Sequence, residues 1–167
     1  MTASFRKDLA RDYPAFTLYP FYHSTHLMPW ASCVEMKLDK VDRIIWLSGQ
    51  TGRNPETDRE PENWQEERDR IGNVVGGIRE QTEACWMRIK EILEGVGARL
   101  EDIYWVNFFL VDKDDKWDML KTTEEFFARY APDLKEHPRA GVLLKDIQLD
   151  LPDMRIEIEV AAAVAKK

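Results

Sequence analysis

Several residue types in this chain could carry chemistry, and their spacing narrows the choice. His23 and His26 stand three apart, a step that on a helix aims two imidazoles at one metal ion. Pro20 and Pro29 flank them, however, His137 is remote, and no Cys/His set completes a four-ligand site, so no metal site is expected. Ser48 follows an apolar run and precedes Gly49 without any Ser-His-Asp pattern, which makes it a turn residue bonding to backbone rather than a nucleophile. Gly76-Gly77 lacks the surrounding pattern of a phosphate loop. Cys33 and Cys85 are too few and too far apart for a disulfide framework and read as small apolar residues in a reducing compartment. Taken alone, Arg139 reads as a salt-bridge residue at a surface or subunit boundary, and Glu157 as a solvated strand charge.

The elements that would position these residues follow from periodicity. Residues 32–38 alternate, 39–42 read as a turn, and 43–48 form a β-rich run ending at Gly49; together they predict a hairpin. Residues 51–64, with Gly52, Pro55 and Pro61, predict a loop. Ile78, Cys85, Ile89, Ile92, Leu93 and Val96 draw one apolar stripe, so a helix is expected up to Gly97, while Gly76 and Gly77 blur its start. Residues 103–111 (IYWVNFFLV) predict the strongest strand. Trp117, Leu120, Phe127 and Tyr130 mark a second amphipathic helix closed by Pro132. Residues 141–144 and 155–164 supply the last two strands. The order β-β-α-β-α-β-β predicts an α+β two-layer sandwich with both helices on one face of the sheet. In the last strand, Ile156, Ile158 and Val160 should meet the helices. Arg155, Glu157, Glu159 and Ala161 then point to the opposite face, into water or a wet subunit interface.

Bulk properties exclude some classes of function. A chain of 167 residues is one domain by default and long enough to bury a core without staples. A net charge of −7 argues against a surface built to grip phosphate backbones, so no nucleic-acid partner is expected. No apolar run approaches the roughly 18 residues of a membrane span. The first fifteen residues carry five charges, among them Arg6, Lys7 and Asp8, and have no apolar core of a signal peptide; a cytoplasmic location is expected. Residues 1–30 are rich in aromatics and prolines and predict an arm packed over the domain, residues 31–167, or over a neighbouring subunit.

Four short motifs in order then carry a family resemblance. Ser48-Gly49-Gln50 after a hydrophobic strand, with Asn54-Pro55-Glu56-Thr57 shortly beyond, resembles the SGQ…P-T-G region of the RidA/YjgF family. The run from Gln81-Thr82 resembles the family's first helix and its exit into a strand. Pro138-Arg139 resembles its signature arginine, and residues 156–161 (IEIEVA) its closing strand. The resemblance covers residues 29–165. It implies a chorismate-mutase-like fold and a homotrimer whose sheets line a central barrel, with clefts between subunits.

It also implies an activity and a site. Well-studied members hydrolyse 2-imino or enamine acids to keto acids and ammonia without metal or organic cofactor. By position, Arg139 would pair with the substrate carboxylate and Glu157 would hold or activate water. Ser48 and Gly49 would form cleft wall, and Trp30 would replace a ring that closes the pocket. Such a guanidinium fork matches a carboxylate bidentately, and hydrolysis of an already electrophilic imine needs little beyond a placed water and proton transfer. The chain also departs from the family: Ala140 and Gly141 follow the arginine where Ser or Thr and then Cys or another small residue are common, and Leu120 stands where many members have asparagine. The expected function is a deaminase acting on an imino or enamine carboxylic acid. The alternative is a non-catalytic module that senses a small carboxylate metabolite.

Overall fold

The computed structural model describes residues 4–5, 10–23, 26–54, 74–134 and 139–167, and the side chains of 21–30 lie outside that description. The strands are β1 (Ser4–Phe5), β2 (Arg11–Asp12), β3 (Phe16–His23), β4 (His26–Met36), β5 (Val41–Thr51), β6 (Ile103–Leu110), β7 (Ala140–Leu144) and β8 (Ile156–Ala165). The helices are α1 (Ile78–Gly95) and α2 (Lys116–Tyr130). The main sheet runs β5-β8-β6-β7; its first two pairings are antiparallel and β6–β7 is parallel, so the sheet is mixed. Both helices pack on one face of it, as the element order requires.

The helices form where the apolar stripes predict them, with one shift of face. In α1, Ile78, Cys85, Ile89 and Leu93 are buried, joined by Gln81, Thr82 and Trp86. Val96, expected in the stripe, is exposed. The helix starts cleanly after the two glycines because the Glu80 carboxylate accepts from the Gly77 N–H at 2.9 Å. It ends at the predicted residue: Gly97 has φ +72°, the left-handed conformation that glycine adopts without steric cost. In α2 the buried residues are Met119, Thr122, Phe126 and Phe127. Trp117, expected inside, is 72% exposed with the Lys116 ammonium over its ring. The aromatic knot of Trp86, Phe126 and Phe127 fixes the inward face of α2 instead, and the Trp86 indole N–H donates to Thr123 Oγ1 at 2.9 Å.

The predicted hairpin of residues 32–38 with 43–48 does not form. β4 pairs with β3, and β5 pairs with β8 along its length. The aromatic N-terminal segment gives β4 an antiparallel partner, so the turn after Met36 carries the chain from one sheet to the next. β1 and β2 complete the first sheet on the other edge of β3.

Strand β8 shows how the layers divide. Ile156, Ile158 and Val160 are fully buried beneath the helices, as their alternation predicts. On the opposite face Ala161 and Ala163 are covered by Phe16, Leu18 and Ala31 of the N-terminal sheet. Glu157 and Glu159, nearer the start of the strand, stay half-buried. That reverse face also holds exposed Trp46, Val142 and Leu144. No helix among the described residues is long and apolar enough to cross a membrane.

Candidate functional site

Glu157 sits beside a bulge, in register with Thr51. Leu47 pairs with Val160 and Gln50 with Ile158, so Ser48 and Gly49 together face the single residue Glu159 and β5 carries one residue in excess. Gly49 lies directly against the Glu157 carboxylate: a β-carbon there would fall on Oε1, so only glycine leaves the acid its place. Ser48 is exposed, and its carbonyl accepts from Gln50 Nε2 at 2.8 Å; its neighbour's missing side chain makes the site, not its hydroxyl. Burial raises the Glu157 pKa above the usual 4.5, and the charges of Glu159 and Asp150 raise it further. Such a carboxyl can take and return a proton nearer neutral pH than an ordinary glutamate.

The same face holds a polar network that the motifs did not single out. Asn107 Nδ2 donates to Glu159 Oε2 at 2.8 Å, while Asn107 Oδ1 accepts from Trp105 Nε1 at 2.8 Å and from the Val142 N–H at 3.1 Å. Asn107 thereby fixes the carboxylate beside Glu157 and ties β6 to β7 and β8. A single amide inside the apolar run IYWVNFFLV was the signal available for it.

Arg139 is elsewhere. It precedes β7 and is 8% exposed beneath the N-terminal arm, and its carbonyl accepts from the Ala31 N–H at 3.0 Å. Its Nη1 donates to the Tyr13 hydroxyl at 3.3 Å, and its guanidinium carbon lies 5.1 Å from the Tyr13 ring centroid. Burial pulls its pKa down, and Tyr13 opposes that pull. Ala140 is buried against the N-terminal sheet. Gly141 lies on the β6 backbone, where a β-carbon would collide with the Val106 carbonyl oxygen. The small residues after the arginine are therefore set by strand packing.

The register separates these two groups within one chain. Ala140 is level with Trp105, and Glu157 with Phe109. Arg139 and Glu157 therefore stand about 16 Å apart along the strand direction, at roughly 3.3 Å per residue, and two strands apart across the sheet. Leu120 packs into the core between helix and sheet, apart from both. The structure thus brings together Ser48, Gly49 and Glu157, and separately Arg139, Ala140 and Gly141. The Trp30 side chain, the histidines' side chains and residues 55–57 lie outside the described residues. Cys85 is buried, and burial raises its thiol pKa, whereas Cys33, read from the sequence as a small apolar residue, is exposed.

A mixed sheet with two helices on one face, a glycine bulge against a strand glutamate and a buried arginine at the parallel edge define an α+β domain of the YjgF type. The sequence pattern of the endoribonuclease L-PSP family matches residues 26–164, and the chain belongs to that family, the one also called RidA/YjgF. Among curated relatives, the mitochondrial protein mmf1 of Schizosaccharomyces pombe is 33% identical over 92 residues, 54% of this chain and 54% of that protein. The match thus spans about half of that relative's length. A 2-iminobutanoate/2-iminopropanoate deaminase of Dermatophagoides farinae is 27% identical over 104 residues, 62% of this chain and 71% of that protein. The crystal structure of the YjgF gene product from E. coli superposes with a TM-score of 0.56 at 26% identity, covering 72% of this chain and 80% of that one.

Proposed function

We propose that the chain hydrolyses a 2-imino or enamine carboxylic acid to a keto acid and ammonia, in a cleft between the subunits of a homotrimer. The observation that carries this reading is Glu157, a half-buried acid with a raised pKa, seated on a glycine bulge on the reverse face of the sheet. The similarity to a 2-iminobutanoate/2-iminopropanoate deaminase supports it.

In the proposed reaction, Arg139 holds the substrate carboxylate by two parallel hydrogen bonds. Ionised Glu157 takes a proton from water as the water oxygen bonds to the carbon of the protonated imine and the C=N π pair moves to nitrogen. Glu157 returns that proton to the nitrogen of the carbinolamine, the C–N bond breaks, and loss of the hydroxyl proton leaves a keto acid and ammonia. The wide gap between Glu157 and Arg139 in one chain supports a site shared by two protomers. The exposed Trp46, Val142 and Leu144 on the same face support association there. Glu157→Gln keeps the shape of the acid and removes its basicity, so ammonia release from an imine generated in situ should fall by about 100-fold or more while keto-acid affinity holds. Unchanged turnover in that variant would contradict the assignment.

A second reading, a non-catalytic module that binds a carboxylate metabolite, keeps the Arg139 anchor and makes no use of Glu157. Leu120, packed against the core where many members of the family carry an asparagine, favours it. Ribonuclease activity is the poorer fit, because a chain of net charge −7 repels phosphate backbones.

A further inference from the structure

Tyr13 belongs to a turn that precedes the family region at residues 26–164. β2 folds back on β3, with Arg11 opposite Leu18 and Asp12 opposite Thr17, and the Tyr13 N–H donates to the Phe16 carbonyl at 2.8 Å. Lys37 clamps this turn to β4. Its ammonium donates to the Tyr13 carbonyl at 2.9 Å and to Asp12 Oδ1 at 3.0 Å, and its N–H donates to the Ala15 carbonyl at 3.0 Å. Phe16 is 1% exposed. The backbone at Tyr13 is therefore held, so any opening over Arg139 has to come from rotation of the half-buried side chain. The ring stacks on Phe16, with centroids 4.7 Å apart and planes 22° apart, and it also meets the Arg139 guanidinium.

This is an arginine shielded by a phenol that comes from outside the family's shared region. We propose that Tyr13 is a built-in competitor for the Arg139 guanidinium: its ring and hydroxyl hold the place that a ligand carboxylate takes, and the ligand enters by turning the ring out. The proposal rests on the reading of Arg139 as the carboxylate anchor. A phenol offers the guanidinium one neutral acceptor and a ring face. A carboxylate offers two charge-assisted bonds in the fork geometry and so displaces it. A neutral amide of the same shape gains no such advantage. Tyr13 thereby selects for anionic ligands, and it lowers the apparent affinity of every ligand by the fraction of time that the site is covered.

The test separates the cover from the anchor. Full-length wild type, Tyr13→Phe and Tyr13→Ala are treated with phenylglyoxal without ligand, and modification of Arg139 is followed by peptide mass spectrometry. Removing a cation–π contact and a hydrogen bond should speed modification about tenfold in Tyr13→Ala. Tyr13→Phe keeps the ring on Phe16, so its fold is the safer of the two, and loss of the hydroxyl alone should give a rise of about threefold. Calorimetry with 2-ketobutyrate and 2-ketobutyramide completes the experiment. Tyr13→Ala should bind the acid about tenfold tighter, with a narrower gap between acid and amide. Equal modification rates in all three proteins would overturn the proposal, as would weaker acid binding in Tyr13→Ala. Faster modification with no acid bound by any variant would uphold Tyr13 as the cover of Arg139 and overturn the carboxylate reading on which its role as competitor rests.

Discussion

The two faces of β8 differ in what they demand of a residue. Beneath the helices, Ile156, Ile158 and Val160 are fully buried among Trp86, Ile89 and Leu110, and any loss of volume there leaves a cavity. On the other face, one residue out of step, Glu157 and Glu159 are half-buried beside Asn107 and the Gly49 bulge. One strand thus carries both the core and the proposed chemistry, and its period of two keeps them apart. A substitution on the helix side should be read in stability, and one on the reverse side in turnover.

The largest effect that would break this division is expected at Trp86. It is fully buried and donates to Thr123, so Trp86→Ala should cost about 3–5 kcal/mol of folding stability. Urea denaturation checks it, and a loss under about 1 kcal/mol would mean that the aromatic knot is not the core. Gly141→Ala comes next. Its β-carbon would meet the Val106 carbonyl, so β7 must shift along the parallel edge, at a cost of about 1–3 kcal/mol by the same measurement. At the small end, the exposed pair of Arg79 and Glu125, 2.7 Å apart between the helices, should contribute less than about 1 kcal/mol when Arg79→Ala is compared with wild type.

The reverse face should show itself in pH dependence. The folded Glu157 pKa is raised, so the native state holds this proton more tightly than the unfolded chain does. Stability should therefore fall slightly as pH rises from below the ordinary 4.5 through the folded pKa, and then level off. Glu157→Gln removes that penalty and should be marginally more stable than wild type above this window, with the advantage vanishing below it. In the pH profile of turnover, the acid limb should lie above 4.5, since the proposed reaction needs Glu157 ionised. Glu159→Gln removes a neighbouring negative charge while keeping an acceptor for Asn107, so the limb should move down. An unmoved limb would show that another group sets it.

What the sequence allowed to be read follows the same division. Helix α1, its end at Gly97 and the inward set of β8 were legible because they rest on local periodicity and on one glycine's φ. Glu157 and Gly49 were legible by alternation and by motif. The partner of β4 was not, because adjacency suggested β5 while the aromatic β3 lay in a segment expected to be only an arm. Trp117 was misplaced because a stripe of four residues tolerates a shift of one position until Met119 and Phe126 settle the inward face. Tyr13 on Arg139 joins residues 126 apart in the chain, and no periodicity connects them.

The central claim is that Arg139 of one protomer and Glu157 of another complete one site, and subunit mixing tests it most directly. Arg139→Ala and Glu157→Gln proteins are each assayed alone for ammonia release, then unfolded together in equal amounts, refolded and assayed again. Each variant alone should be inactive. Random reassembly should pair an intact Arg139 with a neighbour's intact Glu157 at roughly a quarter of the interfaces, and activity should return to about that fraction of wild type. A mixture as inactive as its components would place both residues' work within one chain, or deny them a shared site, and would contradict the account.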